Sequence, residues 1–275
     1  MIFIDNEGIN DPTINLALEE YALRNFNPEN DYLLFYINEP SIIIGRNQNT
    51  LEEINFDYVE ENDLHVVRRV SGGGAVYHDF GNLNFSFITN HDVKSLNNFA
   101  KFTEPVIKIL RKMGIPAELK GRNDVLANDK KISGNAQFST GKRMLHHGTL
   151  LLDSDLEEVV KALNVKMTKI QSKGHKSSRS RVANISEFLS EKMEIEEFRA
   201  LILKGLYNES EDFETYHLST EEWKAVYALK DEKYGTWEWN YGKSPKFNIQ
   251  RSKRFPVGEI DLRIFVEKGE IINFK

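Results

Sequence analysis

The spacing of apolar residues along the chain predicts short strands mixed with longer amphipathic helices. Predicted strands in the first third of the chain lie at Ile2–Ile4, Tyr32–Ile37, Ser41–Ile44, 65–70, 75–78 and 83–88. Helical spacing begins after Pro12 and recurs in the segments 51–61, 95–113, 154–163 and 194–207. Because strands and helices do not alternate regularly, the pattern favours an α+β fold with helices packed on a mixed, largely antiparallel sheet.

Local signals place several turns and helix ends. Asp11 directly precedes Pro12, the combination expected of an N-cap and the first helical residue. Ser219 and Glu222 have capping-box spacing and predict another helix start. Residues 121–136 are predicted to form a hairpin that turns at Asn-Asp 128–129.

The composition changes at the Gly-Lys-Ser-Pro sequence of residues 242–245. Trp237 and Trp239 lie just before it and are expected to alternate along an extended segment and pack in a core or domain seam. Short strands are predicted beyond it at 247–249, 259–266 and 271–274. We therefore expect a large domain over residues 1–245 and the start of a small, incomplete accessory domain over residues 246–275.

Composition narrows the class of protein. The 275 residues include no cysteine, no leader-like segment and no apolar run near membrane-spanning length, so we expect a cytoplasmic protein without a membrane partner. The formal net charge of −6 and the lack of a recognisable nucleic-acid-binding module argue against a nucleic-acid partner. Without cysteine, no acyl-thioester intermediate can form on the enzyme.

A basic segment interrupts this acidic chain, because no Asp or Glu occurs between Glu158 and Glu187. It is either a solvated surface or a steering surface for an acidic partner or for phosphates. Its basic residues are Lys161, Lys166, Lys169, Lys173, Lys176, Arg179 and Arg181.

Three consecutive glycines at 72–74, here called the glycine loop, lie between two predicted strands. Successive N–H groups in such a loop can form an anion-binding concavity. Strand alternation places Arg69 on the same side as Ser71, so Arg69 is expected to face the loop and Arg68 to face elsewhere. No Gly-Lys-Ser/Thr and no helix follow the glycines, which excludes a P-loop and a dinucleotide motif, while a bulged hairpin stays open.

Lys131 is a candidate for chemistry on the predicted hairpin. Alternation places it on the same face as Ser133, and Gly134 would let a ligand lie against the backbone. Asn123 and Asp124 are candidates for a polar anchor or a metal carboxylate, although Asn-Asp is also ordinary turn chemistry. An exposed surface charge is the alternative for Lys131.

Two further kinds of site have little support. His146 and His147 are adjacent on a predicted strand and should point to opposite faces, with no other residues at metal-ligand spacing. Ser71 lacks the Gly-x-Ser-x-Gly elbow of a serine hydrolase.

Several motifs together resemble those of the lipoate-protein ligase A family, in the family's order. They are Asn-Leu-Ala-Leu-Glu-Glu (15–20), Ile-Gly-Arg-Asn-Gln-Asn (44–49), Arg-Arg-Val-Ser-Gly-Gly-Gly-Ala-Val-Tyr-His-Asp (68–79), Gly-Arg-Asn-Asp-Val (121–125), Lys-Ile-Ser-Gly-Asn-Ala (131–136), His-His-Gly-Thr-Leu-Leu (146–151) and Ser-Arg-Ser-Arg-Val-Ala-Asn (178–184). The resemblance implies the α+β catalytic fold that this family shares with biotin-protein ligases, over residues 1–245. It also implies a reaction in which lipoate and ATP give lipoyl-AMP, with Mg²⁺, and the lipoyl group then passes to a lysine of an acceptor protein.

The resemblance also implies roles for individual residues. Lys131 would contact both phosphate and acyl carbonyl as the catalytic residue, Ser71 and His147 would border the acyl pocket, and Asn123 and Asp124 would lie near the nucleotide, with Asp124 as a ligand of Mg²⁺. The full set of implied binding positions is Arg69, Ser71, Gly72, Gly73, Gly74, Ala75, Val76, Tyr77, Asn123, Asp124, Lys131 and His147.

The implied acceptors are acidic lipoyl domains, namely those of 2-oxoacid dehydrogenase E2 subunits and the glycine cleavage H protein, and the basic segment would dock them. A separate accessory-domain polypeptide is a further implied partner. The alternatives are a cysteine-independent lipoyl or octanoyl transferase, a biotin ligase, and a non-catalytic module that binds lipoate or its adenylate.

Overall fold

The computed structural model describes residues 1–163, 182–210, 212–245, 247–255, 258–267 and 270–274. The strands in these ranges form three sheets. They are β1 (Ile2–Ile4), β2 (Tyr32–Ile37), β3 (Ser41–Ile44), β4 (His65–Arg68), β5 (Val76–His78), β6 (Asn82–Asn90), β7 (Ala117–Lys120), β8 (Asp124–Ala127), β9 (Lys130–Ser139), β10 (Arg143–Leu151), β11 (Thr215–Tyr216), β12 (Phe247–Phe255), β13 (Gly258–Glu267) and β14 (Glu270–Phe274).

The largest sheet has eight strands in the order β11-β1-β2-β6-β10-β9-β8-β7. Only the pairs of β1 with β11 and with β2 are parallel among these neighbours, so the sheet is mixed and largely antiparallel, as predicted. A smaller sheet, β4-β3-β5, carries the glycine loop between β4 and β5. The chain after residue 246 forms an antiparallel three-stranded sheet, β12-β13-β14.

Helices cover both faces of the eight-stranded sheet. Their bounds are α1 (Pro12–Asn25), α2 (Thr50–Glu53), α3 (Phe56–Glu61), α4 (Phe99–Lys112), α5 (Leu156–Ala162), α6 (Ile195–Leu206) and α7 (Thr220–Leu229). None of the helices in the described ranges is long and apolar enough to cross a membrane.

Alternation along the central strands builds two cores, one on each face of the large sheet. On β2, Leu33 and Phe35 point to the core formed with α4 and α6, while Leu34 points to the core formed with α1 and α7. Ile43 and Val67 of the small sheet join the α1 core. The small sheet is therefore fixed against α1, and the glycine loop is held near β6 and β10.

The predicted helix starts are confirmed. The Asp11 side chain accepts hydrogen bonds from the amides of Thr13 and Ile14, and Ser219 and Glu222 form the reciprocal capping box. The turn at 128–129 is also confirmed, since both residues have positive φ angles, 47° and 63°.

Two local predictions were wrong. The segment 51–61 is not one helix, because Ile54 leaves it to pair with Leu163, which separates α2 from α3. Trp237 and Trp239 are not on an extended segment but on a wide helical turn that includes Glu238–Gly242. Trp239 packs against the α1 core and Trp237 stays half exposed, so helical rather than period-two spacing decides which of them is buried.

Candidate active site

Two adjoining cavities lie beside the glycine loop. The first, about 130 Å³, extends between the small sheet and strands β2, β6, β9 and β10. The second, about 240 Å³, is lined mainly by apolar side chains of β5, β10 and α5. The two share the wall formed by Ala75, Val76, Lys131, Gly134 and Thr149. A ligand that fills both must therefore pass Lys131.

The glycine loop is shaped from within by Arg69. Its Nη2 donates to the carbonyls of Gly72 and Gly74, both at 2.8 Å, its Nε to Ser71 Oγ at 3.0 Å and its Nη1 to Ile43 O at 3.1 Å. Burial lowers the pKa of Arg69 to about 10, so the guanidinium stays charged at neutral pH. Arg69 faces the loop as predicted. Most of its N–H groups, however, are already bonded to carbonyl oxygens of the loop.

Arg69 holds the carbonyls of Gly72 and Gly74, and the loop amides take no part in these bonds. In the described part of the chain, the N–H groups of residues 72–74 have no hydrogen-bond partner. Gly73 has a φ of +99°, and a Cβ there would lie 2.8 Å from Arg69 Nη2, so a side chain would strain the backbone and displace the guanidinium. The loop therefore presents unpaired N–H donors next to a buried cation, which suits an anion.

Arg68 points to the opposite face of β4, as predicted, and is fully buried. Its guanidinium donates to the carbonyls of Gly45, Arg46 and Gln48 at 2.7 to 3.1 Å and to Thr50 Oγ1 at 2.7 Å. It also binds the segment 239–244 through Trp239 O, Asn240 O and Ser244 Oγ. The sequence predicted the direction of Arg68 but not this role, in which it ties the loop after β3 to the end of the large domain.

Behind the loop, three buried side chains form a hydrogen-bonded series. Ser71 Oγ lies 2.6 Å from His147 Nε2, and His147 Nδ1 lies 2.9 Å from Glu19 Oε1 on α1. Ser86 and Tyr36 also donate to Glu19 Oε1. Glu19 was not among the predicted site residues, although the motif that contains it, residues 15–20, was one of those that carried the family resemblance.

This series has the composition of a serine-hydrolase triad but not its accessibility. Ser71 is fully buried and its Oγ accepts from Arg69 Nε. It also does not line the first cavity, whereas His147 does. Ser71 therefore reaches the cavity wall only through His147, and its implied place beside an acyl pocket stays a prediction. The geometry allows Ser71 and Glu19 to position the His147 ring, rather than Ser71 to act as a nucleophile.

Lys131 was expected on the same face as Ser133, and the structure corrects this. A bulge in β9 makes Val125 pair with Ser133 and Leu126 with Lys131, so Ile132 is the extra residue and the alternation shifts by one. A Cβ at Gly134 would lie 3.0 Å from Lys131 Nζ, so the lysine lies over Gly134 at the junction of the cavities. Ser133 is instead fully buried.

The Lys131 ammonium has Asp124 as its partner, with Nζ 2.8 Å from Oδ1 and both side chains more than one-third exposed. Asn123 is fixed beside them, because its Nδ2 donates to Asn135 O at 2.6 Å. No cluster of three potential metal-ligating side chains occurs in the described ranges. Mg²⁺ commonly takes one or two carboxylates together with substrate phosphates, so the single Asp124 carboxyl group fits the ion if a phosphate binds beside it.

Most predicted binding positions lie in the cavity walls. The first cavity is lined by the predicted residues Arg69, Gly73, Gly74, Ala75, Val76, Asn123, Lys131 and His147, and the second also by Tyr77. Gly72 and Asp124 contact these walls through Arg69 and Lys131. Tyr36, His78, Asn84 and Asn135 line the first cavity without having been predicted.

The two adjacent histidines separate as expected. His146 points away from the cavities and stacks on Phe102, with ring centroids 4.7 Å apart. The basic segment cannot be placed in the same way, because its residues after Lys161 lie outside the described ranges. Lys161 itself pairs with Glu158 at 2.9 Å.

The site joins an anion-binding loop to an apolar cavity, as small-molecule sites commonly do. The fold and the site together place the protein in the class of α+β enzyme domains that bind a small molecule. Residues 11–207 match the family described as "Lipoyl protein ligase A/B catalytic domain", and residues 244–275 match "Bacterial lipoate protein ligase C-terminus". The chain belongs to the lipoyl protein ligase A/B family.

Relatives and solved structures agree with this membership. "Lipoate-protein ligase LplJ" of Bacillus subtilis (strain 168) is 58% identical over 277 residues, covering 100% of this chain and 84% of that protein. A bi-partite lipoate protein ligase from Thermoplasma acidophilum, studied with its E2 lipoyl domain, is 33% identical with a TM-score of 0.77, over 90% of this chain and 98% of its own. A lipoate-protein ligase A bound with ATP is 32% identical with a TM-score of 0.72, over 85% and 95%.

Proposed function

We propose that this protein is an ATP-dependent lipoate-protein ligase, which converts lipoate to lipoyl-AMP and then transfers the lipoyl group to a lysine of a lipoyl domain. The observation that carries the proposal is the junction of the two cavities at Lys131. An acyl-adenylate has the same layout, with an acyl chain and a nucleotide joined at one phosphate. A cation at the junction is placed where negative charge develops in its formation.

The two compartments suit the two halves of this intermediate. The first extends from Lys131 to a deeply buried end at Tyr36 and Asn84, which suits a narrow acyl chain. The second is bordered by Leu151, Leu156 and other apolar side chains, which suit the faces of a purine ring. A similar protein was solved with ATP, which supports a nucleotide site in this fold.

In the first step, a carboxylate oxygen of lipoate attacks the α-phosphorus of ATP and the bond to pyrophosphate breaks. The unpaired N–H groups of the glycine loop and the Lys131 ammonium would stabilise the added charge on the phosphate oxygens. Lys131 would exchange its Asp124 partner for phosphate, since that ion pair is solvent-exposed. Arg69 would hold the loop in the geometry that this step needs.

In the second step, the amine of the acceptor lysine attacks the acyl carbonyl and AMP leaves. Lys131 would polarise that carbonyl as an electrostatic stabiliser rather than as a nucleophile. Direct transfer to the acceptor is consistent with a chain that contains no cysteine for a thioester intermediate.

The family also implies a Mg²⁺ ion, which Asp124, the ion-pair partner of Lys131, and the side-chain oxygen of Asn123 in the cavity wall would hold. When bound, the ion would neutralise charge on the phosphates of ATP. These residue roles are part of the proposal.

We also propose an acceptor, a domain organisation and a location for this protein. A similar ligase was studied with its E2 lipoyl domain, which supports acidic lipoyl domains as acceptors, in either E2 subunits or the glycine cleavage H protein. We propose that residues 246–275 belong to an accessory domain, on the basis of their own three-stranded sheet. A cytoplasmic location stays a prediction from the absence of cysteine.

The test is a mass measurement on an apo lipoyl domain incubated with the purified protein, lipoate and Mg-ATP. A lipoyl increment that requires ATP is expected. Transfer only from a lipoylated donor would indicate a transferase, and binding without transfer would indicate a non-catalytic module. Either of these results would overturn the proposal.

A further inference from the structure

His78, at the end of β5, has an unusual hydrogen-bonding state. It lines the first cavity and is only 4% exposed. Its Nδ1 lies 3.0 Å from Asn38 Nδ2, while its Nε2 has no hydrogen-bond partner among the described residues. A buried ring nitrogen without a partner costs stability unless a ligand supplies one.

A series of asparagines determines which ring nitrogen carries the proton. Asn15 Nδ2 donates to the carbonyl of Ile9 at 2.8 Å, and a carbonyl can only accept, so the orientation of the Asn15 amide is fixed. Asn15 Oδ1 then accepts from Asn6 at 3.0 Å, and Asn15 Nδ2 also donates to Asn38 Oδ1 at 2.9 Å. Asn38 therefore turns its NH₂ group to His78 Nδ1, which must accept.

The ring is also neutral. Burial, together with the charges of Arg69 and His147, lowers the pKa of His78 to about 3. A neutral imidazole that accepts at Nδ1 carries its proton at Nε2. The unpaired Nε2 is therefore a buried hydrogen-bond donor on a residue that lines the cavity.

The position of His78 along the cavity indicates which part of a ligand it meets. Lys131, with a side chain 35% exposed, lies at the end shared with the second cavity. His78 lies with Tyr36 and Asn84, all at most 4% exposed, at the closed end. If the carboxyl group reacts beside Lys131, the far end of the acyl chain lies near His78.

We propose that His78 is a specificity-determining residue, which donates a hydrogen bond from Nε2 to a sulfur of the dithiolane ring and so favours lipoate over octanoate. This inference rests on the proposed function. A ring or thioether sulfur is a weak acceptor, whereas the terminal methyl group of octanoate accepts nothing and leaves the donor unpaired.

The first test replaces the donor with a ring of similar size, His78→Phe. Acyl-AMP formation from lipoate and from octanoate gives kcat/KM for each acid. The ratio of lipoate to octanoate is expected to fall about tenfold, the size expected for one weak buried hydrogen bond, mainly through a loss with lipoate. An unchanged ratio would overturn the proposal.

His146→Phe is the matched control. His146 is as deeply buried and equally neutral, but both of its ring nitrogens have partners, Gln137 and Asn135, and it lines neither cavity. Its replacement should leave the ratio unchanged. An equal fall in both variants would mean that the ratio reports general loosening of the core, which also contradicts the proposal.

A measurement on the unaltered protein avoids the risk that His78→Phe does not fold. Nitrogen-15 NMR of the His78 ring should show a protonated Nε2 and a bare Nδ1, with the Nε2 resonance shifted by lipoate but not by octanoate. A protonated Nδ1, or equal shifts with both acids, would overturn the inference. If the protein forms no lipoyl-AMP at all, the proposed function fails. That failure can be told apart from a failure of the His78 inference, because the protonation of the His78 ring in the ligand-free protein does not depend on lipoyl-AMP formation.

Discussion

The two ends of the first cavity are built in different ways. At the closed end, the Tyr36 hydroxyl is bonded to Glu19 of the buried Ser71–His147–Glu19 series, in which each side chain is at most 7% exposed. At the junction end, Lys131 is about one-third exposed, and within the described ranges its one ion pair is with Asp124. The closed end is thus fixed before any ligand binds, while the cation at the junction can change partners during a reaction. Stability and catalysis should therefore respond differently to mutations at the two ends.

Lys131→Ala should have the largest effect, on catalysis alone. We expect lipoyl-AMP formation to fall by about 10³-fold, since one preorganised cationic donor is lost at the phosphate. The free energy of unfolding should change by less than about 0.5 kcal/mol, because the ion pair is exposed. Lipoate-dependent exchange of pyrophosphate into ATP and urea unfolding measure the two quantities.

Lys130→Ala is the matched control for this variant, because Lys130 pairs with Glu187 at the surface and lines neither cavity. It should leave both quantities unchanged. Near-normal lipoyl-AMP synthesis by Lys131→Ala would remove the lysine from the mechanism.

Glu19→Ala should affect stability and ligand binding together. It leaves His147, Ser86 and Tyr36 without their shared acceptor, and we expect a loss of about 2–4 kcal/mol in the free energy of unfolding. Because His147 lines the cavity, the KM for lipoate should also rise. Urea unfolding and steady-state kinetics measure these effects.

Glu20→Ala provides the contrast within the same helix. The Glu20 carboxyl group binds Arg24, Lys233 and Tyr234 and lines neither cavity. It should reduce stability but leave the KM for lipoate unchanged. If both variants changed KM equally, the closed end would not be specifically connected to ligand binding.

A further predicted effect is a dependence of stability on pH. Burial lowers the pKa of both His78 and His146 to about 3, whereas a histidine in an unfolded chain titrates near about 6.5. Between these values the unfolded chain binds more protons, so stability is present above pH ~6.5 and is lost as the pH falls. Each histidine should contribute a slope of about 1.4 kcal/mol per pH unit well below pH 6.

Urea unfolding at pH 7, 6 and 5 measures this slope. His146→Phe should remove the part of the slope that His146 contributes. A stability that stays constant over this range would contradict the neutral, buried state of both rings.

Much of the fold and the position of the glycine loop could be predicted from local signals. The caps at Asp11 and Ser219 depend on neighbouring residues only, and so do the turns. The face of Lys131 could not be predicted, because one extra residue in β9 reverses the alternation and no sequence feature marks that bulge.

The buried network was missed for a different reason. Glu19 meets His147 across 128 residues of chain, and such pairing is a property of tertiary structure. A signal was nevertheless present, since Asn15 and Glu19 are one helical turn apart on α1 and both are buried. Two polar residues on the inward side of a helix indicate buried hydrogen bonds.

One ligand should occupy both cavities, with its acyl and nucleotide halves joined beside Lys131. Calorimetry with a non-hydrolysable acyl-sulfamate analogue of lipoyl-AMP tests it most directly. The analogue should bind at least about 10³-fold more tightly than either lipoate or AMP alone, because linking two bound fragments adds their binding energies. An analogue that binds no more tightly than the better of the two fragments would show that the cavities do not act as one site.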